Sequence, residues 1–457
     1  MVEEGLSRRR FLGAIAVTTA AGFAGCNWSR APSITPIGET PTAAPIPTTE
    51  PPGTPTQTPD PTATPTTPEP TPTPEPTPTP EPTPTPPTRV YVAPDGRPGA
   101  DGTREDPLGD VPTALRWAEP GDLVVLRGGT YRPDRPVDVR GIGGEDSDPV
   151  TLRAASGERP IFDFERAQVG GFRFRDCHWL AIRGLEIRRA PSRGLFVEDG
   201  SSHVTIENVT IRGSGGDPDA SGTGLFVFES DTITVRNVVS SGNYDPSSGG
   251  ENADGIDIDD SPDTLVENCV AAGNADDGID LWATTDVTVR NCVAYDNGWK
   301  PDGSSGGNGD GFKLGGGGDS GNNQIERCVA YNNRSRGFDD NSATRKLTLY
   351  NCTAWNNPVN FRLGCEFGAM PPRCPAHRLR NNLSHDGLVV LSPVVDSRHN
   401  SWDLDIDDPD FASLDPRDEV FLHLRANSPA VDTGVDVGLP YSGSGPDLGA
   451  FEFEPTQ

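Results

Sequence analysis

The chain has 457 residues and a formal net charge of −29, from 67 acidic and 38 basic residues. This balance leaves no basic patch and argues against nucleic acid as a partner. A strongly acidic surface is typical of proteins that fold in brine, so the composition predicts a halophilic protein.

Residues 1–25 have the order of an export signal. Arg8, Arg9 and Arg10 precede a short apolar stretch at residues 13–23, a pattern that resembles a twin-arginine signal. The stretch ends in Phe-Ala-Gly-Cys, which is typical of a lipoprotein cleavage site, so we expect Cys26 to carry a lipid. The alternative is a plain secretory signal with an incidental cysteine.

No segment reaches the roughly 20 apolar residues of a membrane span. We therefore predict an extracellular protein, either secreted or held at the cell surface, whose membrane contact is limited to its N-terminal lipid. Residues 26–88 are rich in proline and threonine. Such a segment cannot bury a core and favours extended polyproline II structure, so it predicts a disordered stalk.

Residues 89–452 are predicted to form one folded domain, followed by a tail at residues 453–457. A short helix at residues 114–118 is expected to cap the first open end of the fold, where an exposed strand edge would promote aggregation. Strands at residues 123–126 and 150–154 would begin the repeated structure. The repeats are expected to end after Phe361, and residues 428–451 to close the other end.

Six strand-like runs repeat through the middle of the chain. In Val-Thr-Val-Arg-Asn-Cys-Val, at residues 287–293, apolar and polar residues alternate as in a strand with one buried face. The six runs are residues 204–211, 233–239, 264–271, 287–295, 324–331 and 347–355.

Two columns of asparagines follow the same repeat, and stacked asparagines are expected to form amide ladders. The first is Asn208, Asn237, Asn268, Asn291 and Asn351, with Arg327 in the fifth place; the second is Asn243, Asn274, Asn297, Asn333 and Asn357. The shortest repeat, from Gly255 to Gly278, suits a coil of three short strands and three turns. We predict an all-β fold, a single parallel β-helix with capped ends. A leucine-rich repeat is the alternative, but its leucine pattern is missing.

The chain contains eight cysteines. Four of them directly follow the first asparagine column and are predicted to stack inside the solenoid as free thiols: Cys269, Cys292, Cys328 and Cys352. No Cys-x-x-Cys motif is present, so a zinc site is not expected. Cys365 and Cys374 bracket a proline-containing loop, and the sequence leaves open whether they form a disulfide.

Four glycines, each followed by an apolar residue, align two further columns. The residues before the glycines are Asp254, Asp277, Asp310 and Arg336, and the residues two positions after them are Asp257, Asp280, Lys313 and Asp339. Gly278 is expected to take a positive φ, so that the corner turns and the residues on both sides of it face outward.

The acidic part of these columns predicts a cation site. Asp254 and Asp277 would lie about 5 Å apart on adjacent coils, with Asp276 and Asp280 beside them. Carboxylates this close cannot all ionise without a cation, and a site of oxygen ligands alone matches Ca²⁺. The alternative is a calcium ion that only joins two coils.

Lys313 continues the Asp280 column one coil further. A lysine with its usual pKa of about 10.4 is a poor base at neutral pH. A nearby Ca²⁺ and Arg336 would lower this pKa, whereas Asp310 and Asp339 would raise it. Because the metal would largely neutralise Asp280, we expect the pKa to be lowered. Lys313 is then a candidate general base that removes the C5 proton of a uronate in a β-elimination.

At four strings the chain resembles the pectate lyases of polysaccharide lyase family nine, and the resemblance covers most of residues 89–452. The strings lie at residues 252–255, 274–281, 309–315 and 328–339. The resemblance implies a right-handed parallel β-helix, a calcium ion held by Asp254, Asp276, Asp277 and Asp280, and Lys313 as the base. It also implies a monomeric enzyme that acts on a polyanionic polysaccharide, polygalacturonate.

Two other functions remain open. A polygalacturonase-like hydrolase or an epimerase would use paired acids on the same fold, but the Gly-His-Gly and Arg-Ile-Lys motifs of the hydrolases are absent. A non-catalytic carbohydrate-binding solenoid joined by calcium is the second, against which Lys313 argues. Arg336 and Trp299 are the candidate substrate-binding residues, and for Trp282 ordinary packing is the preferred interpretation.

Overall fold

The computed structural model describes residues 88–216, 221–364 and 375–454. The predicted signal at residues 1–25, the lipid site Cys26, nearly all of the stalk and the pair Cys365 and Cys374 lie outside the described residues. Within the described ranges, no helix is both long enough and apolar enough to cross a membrane.

The regular secondary structure of the described residues consists almost wholly of short strands. The first sixteen are β1 (Arg89–Arg97), β2 (Leu123–Leu126), β3 (Gly129–Tyr131), β4 (Val137–Arg140), β5 (Val150–Ala154), β6 (Pro160–Asp163), β7 (Phe172–Arg175), β8 (His178–Arg183), β9 (Glu186–Arg188), β10 (Leu195–Glu198), β11 (Ser202–Glu207), β12 (Thr210–Arg212), β13 (Leu225–Phe228), β14 (Thr234–Arg236), β15 (Val239–Ser241) and β16 (Ile256–Asp259). The others are β17 (Leu265–Glu267), β18 (Val270–Ala272), β19 (Ile279–Trp282), β20 (Thr288–Arg290), β21 (Val293–Tyr295), β22 (Phe312–Lys313), β23 (Gln324–Glu326), β24 (Val329–Tyr331), β25 (Arg336–Asp339), β26 (Thr348–Tyr350), β27 (Thr353–Trp355), β28 (Val359–Leu363), β29 (Arg378–Arg380), β30 (Leu383–His385), β31 (Leu388–Leu391) and β32 (Asp396–Arg398). One α-helix, α1 (Val111–Trp117), and a 3-10 turn (Ser401–Asp403) complete the described elements.

These strands form three parallel sheets, which the chain visits in turn as it coils. Sheet A has 12 strands in the order β1-β2-β5-β8-β11-β14-β17-β20-β23-β26-β29-β32. Sheet B has 10 strands, from β3 to β30, and sheet C has 10 strands, from β4 to β31. Each coil therefore contributes one strand to each sheet, which confirms the predicted all-β parallel β-helix.

Each predicted strand-like run is in fact two strands joined by a sharp corner between sheets A and B. The corner residue is the first asparagine column, with positive φ values of 56° at Asn208, 54° at Asn268 and 54° at Asn291. Asparagine tolerates this left-handed conformation better than most residues do, which explains its repetition there. Arg327 takes the same conformation at φ 50°.

The second asparagine column forms the expected amide ladder inside the solenoid. The Nδ2 group of Asn274 donates to Oδ1 of Asn297 at 2.9 Å, and Asn297 repeats this bond to Asn333 at 2.9 Å. Each Oδ1 also accepts the backbone N–H of the asparagine one coil before, as from Asn274 to Asn297 at 3.1 Å. The ladder satisfies buried polar groups at the corner before sheet C and fixes the register of the coils there.

Apolar side chains from all three sheets fill the interior. Phe312, Phe338 and Phe361 stack on successive coils, with ring centroids 4.8 and 5.0 Å apart. The cysteines that follow the first asparagine column are buried free thiols, as predicted: Cys269, Cys292, Cys328 and Cys352. Burial raises the pKa of the Cys292 thiol well above its usual value, so it packs as a small apolar group.

The predicted cap helix is present as α1. The side chain of Asp110 accepts the backbone N–H of Thr113 at 3.2 Å and caps its N-terminus. Its apolar face, with Val111, Ala114 and Leu115, is buried in the main core at the first end of the solenoid.

The C-terminal part differs from expectation in two ways. The coils do not end after Phe361, because β29, β30 and β31 form a further coil. Nor do residues 428–451 close the end of the solenoid; together with residues 411–427 they pack along the outer face of sheet B. Phe421 packs against Tyr331 at 4.9 Å, and Ala450 N donates to Thr353 Oγ1 at 2.9 Å. The outward side chains of sheet B are apolar here, so covering them removes a hydrophobic surface from water.

Candidate active site on sheet C

The candidate site lies where the chain enters sheet C on successive coils. The backbone N–H of Gly255 donates to Asp277 O at 3.0 Å, and that of Gly278 donates to Asp310 O at 2.9 Å. These bonds hold Asp254, Asp277 and Asp310 in one column, as the sequence predicted. Each of these aspartates lies directly before the glycine that leads into a strand of sheet C.

The expected positive φ at Gly278 was wrong, since Gly278 is not among the residues with a left-handed backbone. The glycine is required for space. A Cβ atom there would lie 2.5 Å from Gly311 O and 2.7 Å from the Ala294 side chain. The close stacking of backbones at this corner therefore excludes any larger residue.

The second predicted column is also present. Asp280 of β19 is paired in register with Asp257 of β16 on one side and with Lys313 of β22 on the other. Asp339 of β25 follows next to Lys313. Successive members therefore point to the same outer face of sheet C, one strand spacing apart.

Asp254, Asp277 and Asp280 form a compact acid triad. They offer three carboxylate oxygens that all lie within 4.8 Å of one another, and all three residues are buried. Asp254 Oδ1 accepts the backbone N–H of Asp277 at 3.1 Å, and Asp277 Oδ1 accepts that of Asp310 at 2.6 Å. The coil spacing and these backbone donors thus hold the triad in place.

Two oxygens of the triad are poorly satisfied within the described residues. Asp277 Oδ2 and Asp280 Oδ1 are buried and accept no hydrogen bond. Lys313 Nζ lies 3.2 Å from Asp277 Oδ2, so the two charges attract each other although no hydrogen bond forms. Buried oxygens without donors are costly, and an all-oxygen donor set is the one that Ca²⁺ prefers. The triad fits a calcium ion.

Asp276, the fourth predicted ligand, lies beside the triad but is not one of its three members. Its Oδ1 accepts the backbone N–H of Asn308 at 2.5 Å. Burial and the nearby Asp254 and Asp277 raise its pKa to about 10. The hydrogen bond to Asn308 holds the chain next to the site directly after an insertion at residues 298–307.

Without a cation, the triad resists full ionisation. Burial raises the pKa of Asp280 to about 7 although Lys313 opposes the shift. Burial, together with Asp280 and Asp277, raises the pKa of Asp254 well above its usual value. The arrangement therefore favours either a bound proton or a bound cation at neutral pH.

Lys313 lies against the triad. Its Nζ donates to Asp280 Oδ2 at 2.9 Å, and its side chain is only 10% exposed. Burial lowers the pKa of Lys313, but the charges of Asp280, Asp277 and Asp254 outweigh burial and raise it above the usual value. The expected lowering therefore requires a cation that neutralises these carboxylates, because their own charges raise the pKa of Lys313.

Arg336 continues the column of residues that precede the glycines, on the coil after Asp310. Its Nη1 forms ion pairs with Asp310 at 3.2 Å and with Asp339 at 3.0 Å. The guanidinium is partly exposed on the coil next to Lys313, in reach of a ligand on this face. Trp299 is 43% exposed and forms an antiparallel β-bridge with Ser305 within the insertion. Among the described residues, no hydrogen bond joins its side chain to the triad.

Trp282, for which packing was preferred, is the tryptophan that the structure places beside Lys313. Lys313 Nζ lies 5.3 Å from the centroid of its ring, and Trp282 is 40% exposed. The available signal was the alternation of the strand, since Trp282 is two residues after Asp280 and so shares its face.

Comparisons with known proteins agree with this fold. The family described as "Pel9A-like, right handed beta helix region" matches residues 90–382. The chain is 33% identical over 400 residues to pectate lyase L of Dickeya dadantii, covering 79% of this chain and 90% of that protein. It is 30% identical over 368 residues to pectate lyase PEL9 of Emericella nidulans, covering 71% and 86%.

Among solved structures, the chain is similar to pectate lyase Pel9A, with a TM-score of 0.67 and 30% identity over 80% of this chain and 96% of that one. A rhamnogalacturonan lyase shares the fold, with a TM-score of 0.62 and 23% identity over 74% of this chain and 97% of that one. The similarity to the right-handed family confirms the expected hand of the coil.

Proposed function

The chain belongs to the Pel9A-like family of right-handed β-helix proteins and is a polysaccharide lyase, and from this premise we propose that it cleaves pectate by calcium-dependent β-elimination with Lys313 as the base. One observation carries the proposal. A lysine ammonium lies 2.9 and 3.2 Å from two buried carboxylates that belong to one acid triad. The names of the relatives support the substrate.

Asp254, Asp277 and Asp280 would hold the calcium ion, with Asp276 as a further ligand from the adjacent position. The unsatisfied oxygens of Asp277 and Asp280 support this assignment. When bound, Ca²⁺ supplies a Lewis acid that neutralises a uronate carboxylate and so acidifies the C5 proton beside it.

Lys313 performs the proton transfer. In the metal-free protein the ammonium is the counter-ion of Asp277 and Asp280, which makes it a poor base. When these carboxylates coordinate a calcium ion, their charges are neutralised and no longer raise the pKa of Lys313. The neutral amine then forms at alkaline pH. The amine takes the C5 proton, the C5–H electron pair forms the C4–C5 double bond, and the O4 substituent leaves with the C4–O4 pair.

Arg336 and Trp282 would complete the substrate site around the base. Arg336 is already paired with Asp310 and Asp339, which fix the direction of its guanidinium. Such a fork suits one oxygen pair of a uronate carboxylate. The exposed ring of Trp282 offers a flat apolar surface to a sugar ring beside Lys313. Trp299 remains a proposed contact from the insertion.

We further propose that the enzyme acts outside the cell as a monomer, anchored by lipid on Cys26 or released. The predicted export signal at residues 1–25 and the proline- and threonine-rich sequence after it support this location. Replacement of Cys26 by Ser is expected to move the enzyme into the medium with its activity intact. A wild-type protein already free in the medium would contradict the anchor.

The reaction class has a direct test. Elimination creates an unsaturated uronate that absorbs ultraviolet light, whereas hydrolysis creates only a new reducing end. We expect wild-type enzyme to produce the absorbing product from polygalacturonate with calcium and to stop when the metal is chelated. Reducing ends without absorbance would overturn the proposed chemistry.

A further inference from the structure

The two columns of the active site continue on the other side of the acids, toward the first end of the solenoid. Gly224 N donates to Asp254 O at 2.9 Å, and Gly194 N donates to Thr223 O at 3.1 Å. The column before the glycines therefore reads Arg193, Thr223, Asp254 along the solenoid. The second column extends in the same way, because Asp257 is in register with Phe226, and Phe226 with Phe196.

Arg193 lies on these two phenylalanines. The rings of Phe196 and Phe226 stack with centroids 5.0 Å apart, and the Arg193 guanidinium carbon lies 4.6 and 4.7 Å from the two centroids. Stacked rings hold a guanidinium flat through cation–π attraction and keep its outer face turned away from the sheet. The arginine is thus positioned by packing rather than by an acid.

Arg193 forms no direct ion pair within the described residues, although the charges of Asp257 and Glu198 act on its guanidinium. Arg173, Lys313 and Arg336 on the same face each form ion pairs with carboxylates. Arg193 forms none there, and its buried Nε donates no hydrogen bond. The guanidinium is half-buried beside Phe196, so it has lost much of its water without gaining a partner anion. A cation prepared in this way attracts a carboxylate strongly.

The distance to the acid triad suits a neighbouring sugar. Arg193 and Asp254 are two strand spacings apart, about 10 Å along the solenoid axis. A polyuronate that runs along sheet C through the site would present its next carboxylates at intervals comparable to the coil spacing. Arg193 and Arg336 would then lie at the two ends of the column of residues that precede the glycines, with its acidic part between them.

We propose that Arg193, seated on Phe196 and Phe226, binds a carboxylate of the anionic polysaccharide at a subsite two coils from the acid triad. This inference rests on the proposed function and adds to it the direction in which the chain lies, along the solenoid axis over β10, β13 and β16. The planar fork of the guanidinium matches a carboxylate with two parallel hydrogen bonds. Phe196 and Phe226 act as positioning residues.

The test compares long and short substrates. For Arg193→Gln we expect kcat/KM on polygalacturonate to fall about tenfold or more, the effect of losing a charge-assisted bond. The fall on a galacturonate trimer should be clearly smaller, because a trimer bound across the base does not need the distant subsite. Arg193→Lys keeps the charge but not the planar fork, so its kcat/KM on polygalacturonate should lie between those of the wild type and Arg193→Gln. Arg236→Gln is the matched control, because Arg236 lies on sheet A and is paired with Glu267. It should change kcat/KM on neither substrate.

A binding measurement separates this inference from the proposed function. In a Lys313→Ala background, calorimetric titration with a galacturonate octamer should show about tenfold weaker binding when Arg193 is also replaced by Gln. Equal binding by both proteins, or equal loss on trimer and polymer, would overturn the subsite even if the wild type is an active lyase. Absence of any binding by the protein with Arg193 intact would overturn both proposals. Melting temperatures show whether Arg193→Gln has a folding defect. If it has one, the same comparisons with Arg193→Lys decide whether the subsite exists.

Discussion

Lys313 is the residue on which the proposed chemistry depends. We expect Lys313→Ala to lower kcat by about 10²–10⁴-fold, the contribution of a general base, while the coil stays folded. Lys313→Arg should not restore activity, because a guanidinium remains protonated. Steady-state rates and a circular dichroism spectrum check the result. An active Lys313→Ala enzyme would remove the base from the mechanism.

The pKa of Lys313 also predicts the pH dependence. In the metal-free protein the triad raises this pKa, so the amine stays protonated and the rate should be negligible. Coordination of calcium by Asp277 and Asp280 neutralises the charges that raise the pKa of Lys313. With calcium the rate should therefore increase as the pH rises and the amine loses its proton. A pH–rate profile with calcium that is flat or falls toward alkaline pH would contradict the base assignment.

The acid triad predicts a coupling between calcium, pH and stability. The pKa of Asp280 is raised to about 7 in the folded metal-free protein, so its deprotonation costs stability. In chelator, the melting temperature should therefore fall as the pH rises from about 4, the unfolded value, through about 7. Calcium binds the deprotonated form, so its stabilisation should grow over the same window and reach roughly 3 kcal/mol at a hundredfold excess over its Kd.

Asp277→Asn tests which residues produce that coupling. It should remove most of the calcium-dependent rise in melting temperature, because it deletes a charged ligand at the centre of the triad. Asp134→Asn changes an exposed aspartate near the start of the solenoid and serves as the control. A calcium response equal in both variants would place the ion elsewhere.

At the scale of elements, the asparagine ladder holds the coils in register beside the site. The side chain of Asn297 makes four hydrogen bonds to buried partners on adjacent coils, among them Asn274 and Asn333. Asn297→Ala would leave several buried polar groups without partners, and we expect a loss of about 3 kcal/mol or more in the free energy of unfolding.

Asn237, an exposed member of the first asparagine column, offers the control for the ladder. Asn237 has φ 53° and makes one exposed amide bond to Asn208. Asn237→Gly keeps the left-handed conformation accessible and should cost about 1 kcal/mol at most. Denaturant unfolding of the two variants measures the difference. Similar losses would show that the buried ladder contributes no more than a surface corner.

At the scale of the whole molecule, the net charge of −29 sets the conditions for folding. Self-repulsion among surface carboxylates is screened over about 3 Å in molar salt but over about 30 Å at low ionic strength. We expect the circular dichroism spectrum to lose its β signal as salt is removed. A non-ionic osmolyte should restore it less well than salt does, because it does not screen charge. An unchanged spectrum at low salt would contradict adaptation to brine.

Much of this protein was predictable from its sequence because a solenoid repeats one local environment. Stacking places equivalent residues side by side, so aligning the four glycines was enough to bring Asp257, Asp280 and Lys313 together in register. The buried thiols, the asparagine ladder and the cap helix follow from the same period and from local capping chemistry. The sequence alone was therefore enough to predict that Lys313 and the acids beside it lie on one face of the solenoid.

The tertiary structure decided what depends on space, distant packing and the sum of charges. The glycine at 278 is needed for close backbone contact and not for its φ, a distinction that only the neighbouring coil reveals. Residues 411–451 cover sheet B instead of the end of the solenoid, because the outward apolar residues of that sheet come from coils far away in the sequence. The pKa of Lys313 is raised because three carboxylates act on it together, and their distances, which set that sum, arise only when the coils are stacked.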